Sequence, residues 1–158
     1  MIDVEYKGKL YLQNLVRAIH EYASFEFQQD AWIGKGRYVS SYVEIICMLY
    51  DNCDFESYFA NKDFEKLGYS SCLIELFERF NEEIKIFKNR KEVDYWGEHL
   101  CCLDLFWSDS QWIKISEIAK TLLKEWSKED RLVYETLKSV IEEERKYGIY
   151  EDSSSYFD

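Results

Sequence analysis

The densest run of ligand-type side chains is Glu98-His99-Leu100-Cys101-Cys102. On a helix His99 and Cys102 stand three apart and Glu98 and Cys102 four apart, so two or three of them share a face. A structural zinc ion needs four ligands, and a catalytic one usually three plus water. Adjacent cysteines point about 100° apart around a helix. The other histidine, His20, is far off in sequence and has no ligand pair beside it. The expectation is no metal site, and a buried cysteine pair next to a hydrogen-bonded histidine.

A second run, Gly34-Lys35-Gly36-Arg37 with Ser40 and Ser41 beyond it, could offer backbone N–H groups to a phosphate at a helix N-terminus. Its glycine spacing fits neither a P-loop nor a dinucleotide fingerprint, and an inter-helix turn is the better reading. An EF-hand requires Gly at the sixth loop position, whereas Asp51 to Lys62 has Glu56 there and Lys62 at the twelfth. Neither histidine sits in a nucleophile context. The sequence therefore predicts no catalytic residue, no cofactor and no enzyme.

What remains is an uneven charge map. The 158 residues carry 20 Lys+Arg against 31 Asp+Glu, a net of −11. Between Tyr38 and Asn61 there is no Lys or Arg, yet Glu44, Asp51, Asp54 and Glu56 are present. Between Glu92 and Ile113 the same holds, with Glu92, Asp94, Glu98, Asp104 and Asp109. Acids without local basic partners project a negative field that speeds encounter with a cationic protein. Both stretches are rich in aromatics, and Tyr and Trp are frequent interface anchors. The expected partner-binding set is Tyr50, Asp51, Asp54, Glu56, Tyr58, Asp94, Glu98, Asp104, Trp107 and Asp109. A strongly acidic chain is a poor ligand for nucleic acid, and the least polar run, Val39 to Tyr50, is too short to span a bilayer.

The elements that must position these residues read as helices. Six glycines and no proline leave little to interrupt them. Periodicity predicts one helix from about 6 to 29 on Leu12, Leu15, Val16, Ile19, Ala23 and Phe27, although Lys7 to Gln13 alternates enough to admit a short strand. Val39 to Tyr50, with Glu44 its single charge, reads as a central helix covered on most sides. A shorter helix from Phe55 should turn Phe59, Phe64 and Leu67 inward, and residues 71–88 give a clear amphipathic helix. Next come the stripe Trp96, Leu100, Leu103, Trp107, opened by Asp94, and two helices opened by Ser108 with Gln111 and by Ser127 with Asp130. Tyr147-Gly148 closes the last. The prediction is all-α: an irregular bundle of six or seven helices in a single domain over 1–148, followed by a flexible acidic tail over 149–158.

In overall character over residues 1–148, acidic, aromatic-rich and helical without catalytic equipment, the chain resembles the bacterial immunity proteins of contact-dependent inhibition and related polymorphic-toxin systems. No single residue is carried over. The resemblance implies a cytoplasmic inhibitor that covers the active site or substrate groove of a cognate basic toxin, often a nuclease forming the C-terminal domain of a secreted effector. A helical regulatory module, a nucleic-acid-mimicking inhibitor and an enzyme built from scattered acids are the competing classes. The five cysteines have no framework spacing, and with the acidic N-terminus they fit a reducing compartment.

Overall fold

The computed structural model describes residues 2–34, 36, 38–152 and 154–157, and for residues 2–10, 154 and 155 the backbone alone. All regular structure among them is helical: α1 (Ile2–Ala23), α2 (Phe25–Ile33), α3 (Tyr42–Cys47), α4 (Phe55–Ala60), α5 (Asp63–Lys66), α6 (Ser71–Lys88), α7 (Lys91–Glu98), α8 (Asp104–Ser108), α9 (Ser110–Glu129), α10 (Arg131–Lys146) and α11 (Ser154–Phe157). A π-helical stretch, Met48–Asn52, prolongs α3, and a 3-10 turn, Leu100–Cys102, joins α7 to α8. The all-α class is as predicted. The helices are more numerous and shorter than six or seven because polar caps interrupt the apolar stripes.

Ser24 shows how. Its side chain accepts from the Phe27 amide at 3.1 Å, and its extended backbone splits the expected helix over 6–29 into α1 and α2. The segment that admitted a strand is helical throughout. Asp109, not Ser108, caps α9 by accepting from the Gln111 and Trp112 amides, and Asp130, not Ser127, caps α10. Asp94 lies inside the first turn of α7 rather than before it. The α6 helix runs as predicted and buries Leu73, Phe77, Phe80, Ile84 and Phe87.

The central helix is α9, not Val39–Tyr50. It packs against α1, α6, α8, α10 and α11, and buries Trp112, Ile115, Ile118, Ala119, Leu122, Leu123 and Trp126. The run from Val39 starts its helix only at Tyr42, capped by Ser41, and covers one side alone: Tyr42, Ile45 and Leu49 are buried while Val39 and Val43 are exposed. A wheel with one charge does not distinguish a covered helix from one whose outer face is apolar. Leu67 is likewise exposed, against expectation, and Leu100 drops out of the Trp96–Trp107 stripe onto the 3-10 turn.

Aromatic rings crowd the core in two groups, around Trp112 and Phe77, joined through Tyr22, Phe80 and Phe55. Trp112 meets Phe87, Phe106, Tyr22, Tyr42 and Trp32 at centroid distances of 5.0 to 6.1 Å. Phe77 stacks on Phe64 at 3.9 Å and meets Trp126 edge-on at 4.9 Å. Such pairs add about 0.5–1.5 kcal/mol each to the burial of the rings.

The expected tail is not loose where it is described. Ile149 and Tyr156 are buried, Glu151 is buried, and α11 packs on α9. Its Ser and Asp content hid three inward-facing residues.

Candidate functional site

The acidic stretches come together at Tyr42. Gly97 of α7 lies against that ring, so closely that a Cβ there would sit 3.2 Å from Tyr42 Cδ2. Phe106 of α8 meets the same ring at 5.0 Å. Residues next to these contacts, Val43, Glu44, Glu98 and Leu105, are exposed. Among the described residues ten large apolar side chains are exposed; Val39, Val43, Tyr95, Leu100 and Leu105, half of them, belong to the two base-free stretches. Apolar residues among carboxylates that form no ion pair have the composition of an interface core with a charged rim.

The structure sorts the predicted binding residues. Asp51, Asp54, Asp94, Glu98 and Asp104 are exposed and form no ion pair among the described residues. Glu56 is exposed but pairs with Lys85 at 2.6 Å. Asp109 is taken up by α9 capping and by Arg90, whose Nη1 and Nη2 donate to its two oxygens at 3.0 and 2.9 Å. The guanidinium outweighs the effect of partial burial and holds the Asp109 carboxyl below its ordinary range. Arg90 also binds Glu92 at 2.9 Å, so one cation just outside the stretch pairs with two of its acids and offsets one of their charges.

The aromatic anchors face inward. Tyr58 is 8% exposed and stacks on Phe64. Trp107 is half-buried and donates its indole N–H to Gln28 Oε1 at 3.0 Å. Tyr50 donates to Asn81 Oδ1 at 2.6 Å under the Lys88 ammonium. None of the three is free to leave the fold, so the apolar centre of the face consists of smaller residues. Asp54 stands apart, on a cleft of about 800 Å³ lined also by Leu12, Tyr58, Asp63, Lys66 and Asp130.

His99 and the cysteines do not assemble. The His99 ring stacks on Tyr95 at 3.9 Å, and its Nδ1 donates to the Tyr95 carbonyl at 2.8 Å. Cys101 is exposed rather than buried. The hydrogen-bonded histidine is as expected; the buried cysteine pair is not. At the glycine turn Ser41 caps α3, while Lys35 and Arg37 lie outside the described residues.

The group that sequence reasoning missed surrounds His20. Its side chain is 1% exposed; Nε2 lies 2.7 Å from Glu151 Oε1 and Nδ1 3.3 Å from Glu144 Oε2, both carboxylates being 4% exposed. Ligand atoms of the three lie within 4.8 Å of one another. Glu151 takes the Nε2 hydrogen bond, and Glu144 meets Nδ1 as an ion pair. Three side chains are the number a catalytic zinc takes from a protein; a protonated ring satisfies the same two carboxylates through its hydrogen bond and its charge. Burial lowers the His20 pKa, but the Glu151 hydrogen bond and the Glu151, Glu144 and Glu21 charges outweigh it and push it up to about 9. Burial raises Glu144 to about 8, against the pull of His20, and Glu21 to about 7. Glu151 is lowered: burial opposes its ionisation, and the His20 bond and charge overcome that.

Comparison with protein-family models, with curated proteins and with solved structures finds no match to this chain. No helix among the described residues is long and apolar enough to cross a membrane.

Proposed function

We propose that the protein is an inhibitor that binds a basic protein, a cognate cytoplasmic toxin of nuclease type, and covers its active site with the face built by α3, α7, the 3-10 turn and α8. One observation supports this reading: the two base-free stretches abut at Tyr42 and display half of the exposed large apolar residues beside Asp51, Asp94, Glu98 and Asp104, which form no ion pair among the described residues. The acids steer a cationic surface into place, and Val43, Leu100 and Leu105 supply the desolvated contact that slows dissociation. The carboxylates stand where nucleic-acid phosphates would lie on such a partner.

The test is co-expression with the C-terminal domain of the protein encoded immediately upstream. Growth should be rescued, and purified components should associate faster at low salt. Asp94→Lys with Asp104→Lys should slow association at least tenfold and flatten its salt dependence, with thermal stability held within about 0.5 kcal/mol. Equal association rates at low salt would reduce the acidic face to a solvated surface. A basic partner that binds without loss of toxicity would indicate an interaction module instead of an inhibitor.

A further inference from the structure

The His20 cluster joins three chain segments distant in sequence. His20 ends α1, Glu144 lies in the last turn of α10, and Glu151 belongs to the stretch between α10 and α11. Glu151 is held to His20 across 131 residues. Around them Ile149 is buried, its N–H donating to the Glu144 carbonyl at 3.0 Å, and the Tyr156 ring lies 5.9 Å from the imidazole. A neutral imidazole has one N–H and presents a lone pair at its other nitrogen. Here the ionised Glu151 lies 2.7 Å from Nε2 and Glu144 lies 3.3 Å from Nδ1, a buried acidic setting that favours the cationic ring.

We propose that His20, Glu144 and Glu151 form a proton-operated latch that holds residues 149–152 and 154–157 against α1, α9 and α10. With the ring protonated, its Nε2–H binds Glu151 and its charge faces Glu144, 3.3 Å from Nδ1. When the proton leaves, Glu151 becomes a buried anion without a cation, which is far costlier than the same anion in water. The segment then regains hydration by lifting away. Of the remaining groups around the latch, Glu21 on α1, Glu143 on α10 and Glu26 on α2, which faces Tyr156, are acidic and reinforce this direction, while the hydroxyls of Ser24 and Tyr156 favour the Glu151 charge and offset it in part. Glu144 Oε1 and Glu151 Oε2 are buried with no hydrogen-bond partner among the described residues, so a second negative charge finds little compensation there.

The pH window follows from the directions of the shifts. His20 binds its proton more tightly folded than unfolded, so its stabilisation is complete below 6.5 and is lost as pH rises through about 9. Glu144, also raised, begins to lose its contribution above 4.5 and has lost it beyond about 8. Glu151 is lowered, so its contribution is present above 4.5 and is lost as pH falls below that. The latch is tightest near 4.5, weakens from there as Glu144 loses its contribution, and releases towards about 9 as His20 gives up its proton.

The experiment uses the full chain carrying His99→Gln, which leaves His20 as the single histidine. Proton NMR of the imidazole should show it charged at pH 7; a neutral ring at pH 7 overturns the proposal. Hydrogen exchange, corrected for the intrinsic rate, should show protection of the Ile149–Asp152 and Tyr156 amides falling at least tenfold between pH 7 and 9.5 while α6 and α9 stay protected. In Glu151→Gln the segment should be as weakly protected at pH 7 as the parent is at 9.5. Unchanged protection overturns the latch, and so does loss in step with α6 and α9. A stoichiometric divalent ion in the purified protein, whose chelation reproduces the release, overturns it in favour of a metal site.

Discussion

The long helices α1, α6, α9 and α10 differ from the short ones, α3 to α5 and α7 to α8, in what their apolar residues do. On α9 every large apolar side chain except half-buried Ile113 is fully covered. On α3 and α8 apolar residues divide between core and solvent: Tyr42, Ile45 and Phe106 point in, Val43 and Leu105 out. The short helices are also flanked by the π-helical stretch and by both described non-glycine residues with positive φ, Asp54 and Lys62. Regular helices with complete stripes provide the scaffold, and short, strained ones present a surface. This is the division expected of a protein whose binding face is built for a partner and not for its own stability.

The largest effect should separate the two regions by stability alone. Phe77→Ala removes the ring that stacks on Phe64 and abuts Trp126, and should cost about 3–5 kcal/mol in denaturant unfolding. Leu100→Ala, 66% exposed on the 3-10 turn, should change stability by less than about 0.5 kcal/mol while weakening partner binding. Equal losses would break the comparison. Asp109→Ala tests the joint between the regions: the α9 cap and the clamp on Arg90 go together, at about 2 kcal/mol. The smallest effect should be a gain. Lys62→Gly relieves a left-handed backbone at φ 54, and should stabilise by about 0.5 kcal/mol after the added freedom of the unfolded glycine is offset. A loss there would mean that the Lys62 side chain, not its backbone, holds the α4–α5 corner.

Legibility in the sequence follows the same boundary. The extent of α6 and the apolar faces of α9 and α10 follow from periodicity because each repeats one stripe over four or more turns. Ser24, Asp109 and Asp130 are invisible to periodicity, since a cap is decided by one hydroxyl or carboxylate that competes with neighbours of similar chemistry. Val43 and Leu100 look like core because composition records that a residue is apolar, not which side of the helix has a neighbour. The pairing of Asp109 and Glu92 with Arg90 escaped because the cation lies just outside the acidic stretch. His20 gave no local signal at all: its partners come from the other end of the chain, where a Ser-rich acidic run reads as solvated.

Gln28 carries a consequence for how this sequence can drift. Its Oε1 accepts from the indoles of Trp107 and Trp112, at 3.0 and 3.1 Å, and its Nε2 donates to the carbonyls of Glu21 and Tyr22, at 2.6 and 3.3 Å. Both hands of one amide are occupied, so the orientation of the group is fixed by its neighbours. Glu at this position would keep the acceptor and lose the donor; Asn is too short to reach both sides; Leu would orphan two indoles and two carbonyls at once. Positions 28, 107 and 112 are therefore chemically bound to change together or not at all. In any lineage that carries this fold they should be inherited as a unit, even where the acidic surface beside them changes.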